Sequence, residues 1–236
     1  MNSPYSIADW WAVVPAAGVG RRMNGERPKQ YLELNGHRVI DHTLHRLGSH
    51  RGLRGLVVAI NTEDEYWSAP KVPVALETVP GGEERCHSVL NGLEQLAGRA
   101  DDDDWVLVHD AARPCLRAED LDALLSELAG HPVGGLLGLP IADTVKRTDS
   151  RGDVLETISR EGLWRALTPQ MFRFGLLRQA LWAALEAGEW VTDEAAAIER
   201  AGYRPKMVEG HGDNIKITRP QDLPLAALYL AQQEEA

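Results

Sequence analysis

Arg21, Arg22, Arg27 and Lys29 lie within nine residues of one another and face only one carboxylate, Glu26, in a chain whose formal net charge is −10. Such a local inversion of charge suggests a polyanionic ligand. Just before them, Pro15-Ala16-Ala17-Gly18-Val19-Gly20 supplies small residues over which backbone N–H groups can approach a ligand closely. The loop follows an apolar run, Trp10 to Val14, that reads as a buried strand. Strand end, small-residue loop and cations together outline a phosphate cradle. Gly18 and Gly20 fit the first two positions of the dinucleotide pattern G-x-G-x-x-G, but Met23 stands in the third, where glycine allows close helix–strand packing. The Lys-Ser/Thr pair of the P-loop is also missing. The cations suit a nucleoside triphosphate better than a dinucleotide, whose pyrophosphate carries less charge and rests chiefly on a helix N-terminus.

No Ser-His-Asp or Cys-His arrangement stands out. A second cluster, His109-Asp110-Ala111-Ala112-Arg113-Pro114, follows the apolar run Trp105 to Val108. In open parallel sheets ligands bind outside the carboxyl ends of strands, so this cluster is expected to share a crevice with the glycine loop. His109 reads as structural, and His87 as a solvent-facing helical residue. Asp101 to Asp104 resemble a metal cluster but read as a solvated turn, because four adjacent carboxylates cannot all face one ion. Thr192 or Asp193 reads as a helix N-cap.

The elements that must carry these residues alternate. Val39 to Leu47 has a helical apolar face, Leu53 to Ile60 and Val72 to Val79 read as strands, and Val89, Leu90, Leu93 and Leu96 mark the next helix. Leu121 to Leu128 predicts another helix, capped by Gly130, and Leu176 to Leu185 a further one ended by Gly188. The expected fold class is α/β, a Rossmann-like, mostly parallel sheet with helices on both faces. From Gly134 to Gln170 the pattern changes to two β-like runs broken at Asp149-Ser-Arg-Gly152, predicting a projecting β-hairpin arm at about residues 139–164. An isolated hairpin is marginal in water, and a second subunit is its simplest partner. Pro205 to Val208 and Asn214 to Thr218 read as final strands, and Arg219-Pro220-Gln-Asp222 as the start of a last helix.

With 236 residues, 44% hydrophobic and 25% charged, the chain suits one large α/β domain, residues 1–236, with an arm. The acidic balance argues against a nucleic-acid surface, and no apolar run approaches the ~18 residues that span a bilayer. Two isolated cysteines, Cys86 and Cys115, read as packing residues, so a reducing, cytoplasmic setting is expected.

The strings VVPAAGVGRRM with PKQYL, GGEERCHSV, VLVHDAARP, DTVKRT, SREGLWRALTPQ, TDEAAA and DNIKITRP run in this order from residue 13 to residue 220. The chain thereby resembles the 2-C-methyl-D-erythritol 4-phosphate cytidylyltransferases of the non-mevalonate isoprenoid pathway. That resemblance implies a homodimer whose β-arm reaches the partner's site, and the conversion of CTP and methylerythritol phosphate to the CDP-linked alcohol and pyrophosphate with Mg2+. By motif matching, Arg22 and Lys29 would stabilise the transition state, and Arg160 and Lys216 would position the attacking phosphate. Ala16, Ala17, Gly18, Gly82 and Ser88 match the nucleotide contacts. Asp110, Ala111, Arg113, Thr144, Thr168 and Thr192 match positions around the ribose or the methylerythritol phosphate. The metal ligands are left open. Glu83 and His87 stand where relatives often carry aspartates. Two other readings are a cytidylyltransferase for another polyol phosphate, such as ribitol 5-phosphate, and a non-catalytic nucleotide-binding protein.

Overall fold

The computed structural model describes residues 9–18 and 27–235. Seven strands form the central sheet: β1 (Trp10–Pro15), β4 (Leu53–Ile60), β5 (Leu76–Pro80), β6 (Trp105–Val108), β7 (Gly134–Pro140), β10 (Trp164–Arg173) and β11 (Lys206–Glu209). Their order is β11-β7-β10-β6-β1-β4-β5. The half from β6 to β5 is parallel, whereas β10 runs antiparallel to both β6 and β7. Two short strands, β2 (Glu33–Leu34) and β3 (His37–Arg38), form a small hairpin beside it.

The apolar runs are continuous because the central strands are covered on both faces. Alternation divides each strand between two cores. Trp10, Ala12 and Val14 of β1 join Leu56 and Val58 of β4, and Trp105 and Leu107 of β6, on one face. There they meet α1 (Val39–Gly48) and α3 (Ala118–Leu128). Trp11 and Val13, Val57 and Ala59, and Val106 and Val108 point the other way, to α2 (Arg85–Leu96), α4 (Phe174–Glu186) and α5 (Glu194–Arg200). Gly92 lets α2 lie on β1, since a Cβ there would overlap the Val13 side chain. The last helix, α6 (Asp222–Glu234), buries Ala226 and Leu230 against a third cluster with Cys115 and Ile217.

The arm begins as expected but divides its work. β7 and β10 pair within the main sheet, and only β8 (Val145–Thr148) and β9 (Val154–Ile158) form a separate two-stranded ribbon. Its turn contains Gly152 at φ 91°. Residues 214–218 are not the strand that the sequence pattern predicts. Their backbone groups bond one by one instead: Ile217 N–H donates to Ala112 O at 2.8 Å, and Thr218 N–H to Asp222 Oδ2 at 2.8 Å. The third strand also starts later than expected, at Leu76.

Candidate active site

β1, β4, β5 and β6 end on one side of the sheet, and the segments that follow them wall a cavity of about 440 Å³. Ala16, Ala17 and Gly18 line it from the end of β1, Gly82 and Ser88 from the turn into α2, and Asp110 and Ala111 from the end of β6. Lys29 and Lys216 enter from segments far apart in sequence. The walls are close-fitting. A Cβ on Gly81 would overlap that of Ala17, so only glycine lets these two loops touch. Ser88 Oγ accepts the Gly82 N–H at 3.1 Å and fixes the same turn.

Lys29 opens a short 3-10 turn, Lys29–Tyr31, and its Nζ donates to Ile217 O at 2.9 Å. Lys216 Nζ lies 2.9 Å from Asp110 Oδ2. Asp110 is the centre of the charge arrangement, with Arg85 Nε 2.9 Å from its Oδ1 and Arg113 Nε 3.4 Å from its Oδ2. Burial alone would push the Asp110 carboxyl up, but the charges of Arg85, Lys216 and Arg113 outweigh it and hold the group well below the usual carboxylate range. Arg85 reaches further, placing Nη1 and Nη2 on the two oxygens of buried Glu194 at 2.6 and 3.0 Å. One guanidinium therefore joins the start of α2, the end of β6 and the start of α5.

His109 is uncharged. Burial lowers its pKa to about 4, and both ring nitrogens are engaged. Nε2 donates to Arg113 O at 3.1 Å, and Nδ1 accepts from Thr168 Oγ1 at 3.0 Å. The Asp110 N–H in turn donates to Thr168 Oγ1 at 3.1 Å. A carbonyl can only accept, so this chain of bonds fixes the tautomer. Thr168 and Arg113 accordingly stand behind Asp110 and hold it, Arg113 also donating to Asn214 O at 2.8 Å. Asn214 Nδ2 donates to Thr168 O at 2.8 Å, which ties the Lys216 segment to the same group.

The remaining expected residues fall elsewhere. Arg22 lies outside the described residues. Thr144 and Arg160 are exposed where the ribbon meets the sheet and do not line the cavity. Thr192 is exposed just before α5 and does not line it either, and the N-cap there is Asp193, whose carboxylate accepts from Ala196 N–H at 2.9 Å. His87 is not a free helical side chain: its Nδ1 accepts the Glu84 N–H at 3.2 Å and helps cap α2. Cys86 and Cys115 are free and buried, with burial pushing the Cys115 thiol up to about 12. Asp104 of the acidic turn accepts from Trp11 Nε1 at 3.1 Å.

Sequence reasoning passed over Arg85. Its signal was a cation in the first turn of a helix, where the macrodipole disfavours positive charge unless a carboxylate is near.

Comparison with known proteins gives the family and the fold. The family model described as 2-C-methyl-D-erythritol 4-phosphate cytidylyltransferase matches residues 10–232. A protein of that name from Hahella chejuensis is 55% identical over 229 residues, covering 95% of both chains. One from Pseudomonas fluorescens is 53% identical over 221 residues, covering 92% of this chain and 94% of its own. Among solved structures, a 4-diphosphocytidyl-2C-methyl-D-erythritol synthase superposes with a TM-score of 0.81 at 38% identity, covering 94% of this chain and 98% of its own. The Francisella tularensis 2-C-methyl-D-erythritol 4-phosphate cytidylyltransferase gives 0.78 at 34%, covering 94% and 99%. With the match running through the glycine loop, the Asp110 cluster and the Lys216 segment alike, the chain belongs to the 2-C-methyl-D-erythritol 4-phosphate cytidylyltransferase family.

Proposed function

We propose that the crevice between the glycine loop, Gly82 and Asp110 is where CTP and 2-C-methyl-D-erythritol 4-phosphate meet. The chain is a nucleotidyltransferase that moves the cytidylyl group of CTP to that acceptor in isoprenoid biosynthesis. The observation that carries the siting is the convergence of Lys29 and Lys216 on one cavity, with Lys29 anchored on the carbonyl next to Lys216.

In the reaction an oxygen of the acceptor's phosphate forms a bond to the α-phosphorus of CTP, and the bond from that phosphorus to the β-phosphate oxygen breaks, releasing pyrophosphate. A phosphate monoester with a second pKa of about 6 is mostly dianionic at neutral pH, so no general base is required. This accords with a site whose one buried histidine has both nitrogens committed. What the step requires is positive charge where two anions meet, and Lys29 and Lys216 supply it as compact ammonium groups. Asp110 orients Lys216, while Arg85 and Arg113 balance the same carboxylate, so that Lys216 can turn to a phosphate without leaving a buried charge unpaired.

Mg2+ fits as a companion of the triphosphate. Asp110 is already committed to three cations, whereas Glu83, an exposed carboxylate lining the cavity, is an oxygen donor suited to a hard cation that takes most of its ligands from phosphates and water. When bound, the ion would neutralise charge on the phosphate oxygens.

The ribbon is proposed to serve a second copy of the chain, with Thr144 and Arg160 completing the partner's crevice. Supporting this, among the described residues β8 and β9 pair only with each other, and Val154 and Leu155 are 61% and 63% exposed. Among the described residues no helix is long and apolar enough to cross a membrane. The two buried free thiols support a reducing, cytoplasmic setting.

Pyrophosphate release with CTP and Mg2+ in the presence of methylerythritol 4-phosphate, ribitol 5-phosphate or no acceptor tests the reading. Release with the first acceptor alone is expected, and release with ribitol phosphate alone would overturn the substrate assignment.

A further inference from the structure

We propose that Gln30 is a positioning residue for the nucleotide, acting through the backbone of residues 16–18. The inference rests on the crevice being the CTP site. Gln30 is 3% exposed, and its Nε2 donates to Ala16 O at 2.7 Å and to Gly18 O at 3.0 Å. A primary amide has two N–H donors, and both are spent on carbonyls two residues apart in one loop. Two acceptors around one nitrogen also fix which end of the amide is which.

The consequence is electrostatic. A carbonyl oxygen facing a triphosphate repels it, whereas an N–H attracts it. Gln30 draws two carbonyls of the loop onto its own side chain, and the Ala16 N–H is already held on Ala59 O at 2.7 Å. Among the described residues no acceptor lies on the N–H of Ala17 or of Gly18, and both residues line the cavity. Side chain and loop thus sort the loop's dipoles, with acceptors held by Gln30 and donors left for an anion. Gln30 also follows Lys29 directly in the 3-10 turn. The bonds that orient the loop therefore set the lysine's starting point as well.

Two substitutions separate this role from packing. In Gln30→Glu the ionised carboxylate has no N–H and turns its oxygens toward two carbonyls. Gln30→Met keeps the length and removes the donors without adding charge. Both are expected to lower kcat/KM for CTP on the order of 10²-fold, with KM for the acceptor little changed. Equilibrium dialysis of radiolabelled CTP, without acceptor, should show the same loss. Lowering the pH should restore part of the activity to Gln30→Glu, whose protonated acid can donate one bond, and none to Gln30→Met. Should Gln30→Glu fail to fold, the Met variant still gives the binding and kinetic split. Wild-type CTP affinity in a folded Gln30→Met, or equal losses for both substrates, would overturn the proposal while leaving the site reading intact. Failure of the unsubstituted enzyme to bind CTP would instead overturn the site reading.

Discussion

Arg85 and Arg147 both pair with carboxylates, and the two pairs mark opposite ways of using the same chemistry. Arg85, in the crevice, is bidentate on Glu194, which is 1% exposed, and also bonds Asp110. Arg147, on the ribbon, lies 3.2 Å from Glu156, with side chains 64% and 53% exposed. In the crevice water has been replaced by fixed partners, so each charge depends on the others for its existence as an ion. On the ribbon water screens the pair, which contributes about 0–1 kcal/mol. The crevice is therefore organised from within the chain, whereas the ribbon holds its shape by a short ladder and exposes Val154 and Leu155 to whatever packs there.

The sharpest way to break this contrast is Arg85→Met. It strands the Glu194 carboxylate in the interior, takes one of three cations from Asp110, and is expected to cost about 3–5 kcal/mol in urea unfolding. A loss no greater than that of a surface variant would show that the crevice is as hydrated as the ribbon. Next, Lys29→Ala should leave the circular dichroism spectrum unchanged and reduce turnover on the order of 10²–10³-fold. Near-normal pyrophosphate release would remove Lys29 from the chemistry.

A pH series sharpens the comparison further. His109 takes up its proton near 6.5 when unfolded but only near pH 4 when folded. Between these values the unfolded state binds more protons, so stability falls as the pH drops, by about 1.4 kcal/mol per pH unit from this group. His109→Gln should flatten the dependence in that window, and an unchanged slope would assign the acid sensitivity to other groups. The smallest effect is expected on the ribbon, where Arg147→Ala should change unfolding free energy by no more than about 0.5 kcal/mol. Removing residues 146–157 should leave the sheet folded but lower the sedimentation mass. The same monomeric mass for both chains would discard exchange of the ribbon between copies.

Much of the sheet was legible because its strands are buried on both faces and carry continuous apolar runs: β1, β4 and β6 can be read directly. Residues 214–218 were misread for a related reason. Ile215 and Ile217 alternate with Asn214, Lys216 and Thr218 as in a strand, but they are fixed by single bonds to Ala112, Asp222 and Lys29. Periodicity reports burial, not which partner accepts a hydrogen bond. The glycine loop, Asp110 and Lys216 could be found from their motifs. The pairing of Arg85 with Glu194 could not, because the partners are 109 residues apart and only the folded sheet brings them together.

The bond from Lys29 Nζ to Ile217 O spans 188 positions of the chain. During synthesis the chain emerges from its N-terminal end at about 5–20 residues per second. A nascent chain that has emerged as far as β7 holds the glycine loop, β1, β4, β5 and β6 in hand, yet has neither Lys216 nor the carbonyl that anchors Lys29. The proposed nucleotide crevice is therefore complete only after the segment around Ile217 has been synthesised and its N–H has bonded to Ala112 O, beyond the end of β6.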